Sequence, residues 1–218
     1  MSEREAARSA MIESQLRPNK VTDERVIGAF AATRRELFAP AQLRAAAYVD
    51  EDLPLGGGRC LLEPMVAARL LQAAMIGRGD TVLLVGAGSG YEAALMAVLA
   101  RNVVALEEDA ELARHARAAL VEHGISAVNV VEGPLAEGYA ARSPYDAILF
   151  GGAVAEVPAK ITAQLAEGGR LVAVIRAHAG LGRATVMTRA GGVVAQRVIF
   201  DAAIPFLPGF APKPGFAF

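Results

Sequence analysis

From Asp80 to about Ile175 the chain alternates short apolar runs with longer stretches whose apolar positions recur every three or four residues. The runs "DTVLLVG", "NVVALE", "VNVVEG", "YDAILFGG" and "GGRLVAVI" lack polar alternation, the pattern of strands buried on both faces of a parallel sheet. Between them "YEAALMAVLA" predicts an apolar helix. "DAELARHARAALVEHG" predicts an amphipathic one, with Leu112, Ala116, Ala119 and Leu120 inward and Gly124 at its end. Pro158 is expected to open a further helix running to about Ala166. "RATVMTR" and "GVVAQRVIF", on either side of Ala190-Gly191-Gly192, predict a hairpin. Alternation of this kind specifies a doubly wound α/β sheet.

The first forty residues are patterned as helices. Thr22 and Asp23 offer caps for "DERVIGAFAAT", with Val26, Ile27 and Phe30 on one face, and Pro40 stops "RRELFAP". Tyr48 to Glu63 reads as turns, with Pro54, three glycines and the acids Asp50, Glu51 and Asp52. Pro64 then suits the first turn of a helix carrying Val66, Leu70 and Ala73 inward. One domain is expected: a helical extension and loop over 1–63, the α/β core over 64–200, and a Pro- and Gly-rich tail over 201–218. The tail's Phe206, Phe210, Phe216 and Phe218 are expected to pack over the sheet or a partner. "GGGRCLLEPMVAARL" is unusual, because Cys60, Leu61 and Leu62 cannot supply the oxygen that caps a helix.

Lys and Arg number 22 against 23 Asp and Glu, a net charge of −1. That balance argues against a broad nucleic-acid footprint. The single Cys60 rules out an internal disulfide, and no run approaches the ~20 apolar residues of a membrane helix. With no signal-like apolar segment at the N-terminus, the chain is expected to be cytoplasmic.

The sharpest motif is "VLLVGAGSGY", where a strand ends in Gly86 and a turn with Gly88, Ser89 and Gly90 feeds a helix. Glycines there let the backbone approach a ligand, and the helix start presents free N–H groups. Dinucleotide sites prefer G-x-G-x-x-G, whose third glycine falls here on the bulky Tyr91. The G-x-G-x-G spacing suits S-adenosylmethionine, which brings no pyrophosphate. Glu107, at the end of the second strand, is placed to accept hydrogens from ribose hydroxyls of either cofactor.

Together, "QLRPNKVTDERVIGAFAATRRELFAP", "AYVDEDLPLGGG", "EPMVAARLL", "VLLVGAGSGY", "YDAILFGGA" and "QLAEGGRLV" resemble the protein-L-isoaspartate O-methyltransferase family. The resemblance implies a seven-stranded, Rossmann-like class I methyltransferase fold. It also implies S-adenosylmethionine as donor, S-adenosylhomocysteine as product, and a peptide or protein carboxylate as acceptor, the abnormal α-carboxylate of an isoaspartyl residue. By the same resemblance Gly86, Gly88, Ser89 and Gly90 line the donor's methionine part and Glu107 holds its ribose. Gly133-Pro134-Leu135 stands where the family has Gly-Asp-Gly, whose Asp holds the adenine. Cys60-Leu61-Leu62 stands where the family has Thr-Ile-Ser, so Leu62 occupies the place of a serine near the reacting carboxylate. With Asp50, these three form the expected substrate-side loop, with Leu62 presenting an apolar surface to the acceptor.

Those departures support an alternative: a weak or inactive descendant that binds S-adenosylmethionine, a protein, or both. An NAD-linked oxidoreductase is a third reading, disfavoured by Tyr91. His115 and His123 are expected to be solvated on a surface helix, and His178 follows the fifth strand near the cleft. Asp50, Glu51 and Asp52 are expected to form a solvated turn, Cys60 a small buried filler, and no spacing suggests metal ligands.

Overall fold

The structure, a computed structural model, describes residues 2–177 and 180–212. Its centre is a seven-stranded sheet built from β3 (Thr81–Val85), β4 (Asn102–Glu107), β5 (Val128–Glu132), β6 (Tyr145–Val154), β7 (Leu165–Ile175), β8 (Gly182–Ala190) and β9 (Val193–Ala202), in the order β5-β4-β3-β6-β7-β8-β9. The first five of these run parallel, and β8 and β9 close one edge antiparallel, with β9 returning from β8 as the predicted hairpin. Chain order reverses on either side of β3, so the crevice at its C-terminal end is the topological switch point of the sheet.

Strand β3 shows why its sequence lacks alternation. Val82 and Leu84 pack into one apolar cluster and Leu83 and Val85 into the other, on opposite faces. The first cluster takes α1 (Glu3–Met11), α2 (Glu24–Ala32), α3 (Pro64–Ala74) and α4 (Tyr91–Leu99). Asp23, rather than Thr22, caps α2 through its side chain, which accepts from the Arg25 N–H. Helix α5 (Ala110–His123) ends at Gly124, as its pattern predicts, though Ala113 rather than Leu112 is the buried residue of its first turn. In α3, Leu71 and Ala74 join Val66 and Leu70 inside while Ala73 is only half-buried. The tail crosses the other face, where Leu207 is buried and Phe210 packs edge-on against Phe150 at 5.9 Å. Phe206 lies under the Arg176 guanidinium, while Phe216, Phe218 and His178 fall outside the described residues.

Two expectations need correction. The helix expected from Pro158 to Ala166 is one turn, α6 (Ala159–Thr162), because Leu165 joins the sheet and buries its side chain while Gly168 and Gly169 favour no helix. The segment read as turns from Tyr48 to Glu63 contains a hairpin, β1 (Leu53–Gly56) and β2 (Arg59–Leu61), in a sheet of its own. Gly56, Gly57 and Gly58 all take positive φ to close it. No helix among the described residues is long and apolar enough to cross a membrane.

Candidate functional site

The loop after β3 is tied to the end of β4. Gly86 and Ala87 donate their N–H groups to the Leu106 carbonyl at 2.9 and 3.0 Å. Gly88 and Gly90 have φ of 55° and 91°, conformations an L side chain rarely takes. Gly90 stands directly before α4, and a Cβ there would lie 3.0 Å from the Cβ of Ala116 on α5. The third glycine therefore permits close approach of α5, while Gly86 and Gly88 line the crevice.

Glu107 ends β4 and is fully buried. Its Oε2 accepts from the Gly88 N–H at 2.7 Å. Its Oε1 accepts from the N–H groups of Glu108 at 2.9 Å and Asp109 at 3.1 Å, and from Arg59 Nη1 at 2.8 Å. The Glu107 carbonyl in turn accepts from the Gly133 N–H at 3.1 Å, which brings Gly133-Pro134-Leu135 to the same corner. Leu135 is buried in the apolar cluster that also holds Leu106 and Phe150. Ser89 Oγ and Glu92 Oε1, on the loop and the first turn of α4, are buried without a hydrogen-bond partner among the described residues. Burial pushes the Glu92 carboxyl above its ordinary range.

Side chains from the hairpin and the tail lie over the loop. A Cβ placed on Gly86 would come within 2.7 Å of a Leu207 methyl and 3.1 Å of Arg59 Nη2, and one on Gly88 within 3.2 Å of a Leu55 methyl. Arg59 was not among the residues expected to matter. Its signal is a lone cation between a glycine turn and an apolar triplet, legible only beside a buried acid distant in sequence.

The residues of the expected substrate-side loop differ in exposure: Asp50 is exposed, Cys60 half-buried, and Leu61 and Leu62 buried. Leu61 and Leu62 are both buried in the core, so Leu62 does not present an apolar surface to an acceptor; three apolar residues in a row draw the strand end inward. The Leu62 carbonyl accepts from Arg35 Nη2 at 2.8 Å, and Arg35 Nε donates to the Ala47 carbonyl at 2.7 Å. The same guanidinium lies 4.9 Å from the Tyr91 ring, which also packs on Phe30 and Phe38. Tyr91 is thus the anchor that joins the N-terminal helices to the glycine loop.

Asp50 is exposed as expected, but Asp52 is half-buried, accepting from the Glu63 N–H at 2.7 Å. Burial pushes the Asp52 carboxyl up. Burial and then the Asp52 and Glu92 charges push the half-buried Cys60 thiol well above its ordinary value, which keeps it protonated and a poor nucleophile. His123 is not simply solvated. Its Nε2 accepts from the Arg34 N–H at 2.9 Å and its ring tilts against Phe38.

Comparison with known proteins decides the family. A sequence model described as Protein-L-isoaspartate(D-aspartate) O-methyltransferase (PCMT) matches residues 6–206. The chain belongs to the protein-L-isoaspartate O-methyltransferase family. A protein-L-isoaspartate O-methyltransferase from Koribacter versatilis is 44% identical over 165 residues, 76% of this chain and 74% of the relative. One from Gloeobacter violaceus is 35% identical over 205 residues, 94% and 98% of the two chains. Among solved structures, a protein-L-isoaspartate O-methyltransferase superposes with a TM-score of 0.79 at 24% identity, over 97% of this chain and 66% of that one. A Plasmodium falciparum structure named beta-aspartate methyltransferase (PCMT), in complex with S-adenosyl-L-homocysteine, gives 0.78 at 17% identity, over 94% and 97%. The structural likenesses carry the class I methyltransferase fold, and family membership sets aside the NAD-linked oxidoreductase reading.

Proposed function

We propose that this chain is an S-adenosylmethionine-dependent O-methyltransferase acting on a peptide or protein carboxylate, the isoaspartyl α-carboxylate being the acceptor its family implies. One observation carries the reading: a glycine loop at the switch point of the sheet, bonded through Gly88 to the buried carboxylate that ends the next strand.

The backbone fits such a donor. The glycine loop turns back at the end of β3 with Glu107 bonded to Gly88 beside it. The loop's Ser89 Oγ is buried without a hydrogen-bond partner among the described residues. The side chains of Arg59, Leu55 and Leu207 lie directly over Gly86 and Gly88. When bound, the donor supplies a methyl group activated on a sulfonium. The protein's share is alignment and exclusion of water, because a carboxylate acceptor is already ionised at neutral pH and needs no general base.

A labelled-methyl assay comparing an isoaspartyl peptide with its aspartyl control tests the reading. Transfer to the isoaspartyl peptide alone is the expected result. A second reading, a weak or inactive descendant that binds donor or protein, is favoured by the inward Leu62 and the occupied Glu107. Absence of transfer together with measurable binding of S-adenosylhomocysteine would select it.

A further inference from the structure

The carboxylate on which the donor reading depends is buried and already bonded within the chain. Oε1 of Glu107 accepts from the N–H groups of Glu108 and Asp109 and from Arg59 Nη1, and Oε2 from the N–H of Gly88. Of these four donors Oε1 takes three and Oε2 one, and the carboxylate is 0% exposed, so a diol reaches it only if a group that covers it moves. Three of them are backbone groups fixed by the end of β4 and by the glycine loop. The fourth is a side chain on a three-residue strand in a two-stranded sheet, closed by three consecutive glycines.

That hairpin covers more than the acid. Arg59 Nη2 lies 3.1 and 3.8 Å from where a Cβ would sit on Gly86 and Gly88, and Leu55 on the partner strand lies 3.2 Å from the latter. The Arg59–Glu107 pair is buried on both sides, with side chains 3% and 0% exposed. One small element thus places a cation on the ribose acid and a methyl group on the loop.

We propose that the β1–β2 hairpin is a latch on the donor site, with Arg59 holding the place on Glu107 that the donor's ribose hydroxyls would take. The inference rests on the donor reading above. Donor binding then requires Arg59 to leave Glu107, so the latch subtracts from donor affinity the work of separating a buried ion pair. A ligand shifts such an equilibrium only by its preference for the open state.

Calorimetric titration with S-adenosylhomocysteine of the natural chain, Arg59→Gln and Leu55→Ala tests the latch, with circular dichroism to verify folding. Arg59→Gln is expected to bind about tenfold tighter than the natural chain, and Leu55→Ala to show a smaller gain. A merely structural arginine cannot give this result, since its loss leaves affinity unchanged or lower. Equal affinities, or weaker binding by Arg59→Gln, would overturn the latch and leave the donor reading standing. Absence of binding by all three at millimolar ligand would overturn the donor reading and the latch with it. If Arg59→Gln does not fold, the comparison of Leu55→Ala with the natural chain decides by the same criteria.

Discussion

Leu62 and Arg35 show how a residue's meaning changes once its surroundings are known. In sequence Leu62 is a missing serine; in the fold it is a core side chain whose carbonyl is held by Arg35. Leu62→Ser is therefore expected to cost about 3 kcal/mol, the loss of a buried leucine plus burial of a hydroxyl. Urea unfolding measures this, and the labelled-methyl assay is expected to show no gain on the isoaspartyl peptide. Arg35 is fully buried, and its guanidinium serves two carbonyls from different segments. A lysine cannot reproduce that fork, so Arg35→Lys is expected to lower stability by about 2 kcal/mol, read from the urea midpoint at unchanged slope. Nothing in "TRRELF" distinguishes this arginine from its exposed neighbour, because its partners lie 12 and 27 residues away.

Elements were legible where periodicity was long. Strands β3 to β7, helices α4 and α5 and the β8–β9 hairpin all stand in the text, since each is stabilised by the same apolar pattern that announces it. Short elements were less so. The β1–β2 hairpin is invisible because three- and four-residue strands carry almost no pattern, and α6 was overextended because the pull of the sheet on Leu165 is tertiary. The contact of α5 with the segment that follows α2 is also tertiary and carries a pH dependence. Burial, and after it the Arg34 charge, holds the His123 imidazole below its ordinary value of 6.5. As pH falls below that value the unfolded chain takes the proton first, so stability is complete above it and declines beneath it until the folded imidazole is protonated too. His123→Gln keeps an acceptor for the Arg34 N–H without titrating. Its melting temperature is expected to fall less than that of the natural chain between about pH 7 and 5.5, measured by parallel thermal scans.

At the scale of the whole molecule the tail closes the site-bearing face. Ile204, Leu207 and Phe210 are buried, and Leu207 covers both Gly86 and Gly152. Truncation after Ala202 is expected to cost several kcal/mol, since each such side chain contributes about 2 kcal/mol by burial; chemical denaturation measures it. The Pro- and Gly-rich tail has no periodicity, so its packing was expected only in outline, from its phenylalanines. By itself the sequence determined the α/β class, the glycine loop at a strand end and the acid that ends the next strand, because these depend on local propensity and short-range spacing. The family was legible as a resemblance of whole segments. Only the tertiary structure decided that "GGGRCLLEPMVAARL" turns its leucines into the core and its arginine onto Glu107, 48 residues away. A pattern of apolar positions shows which residues avoid water, but which buried charge pairs with which depends on the packing of segments distant in the chain.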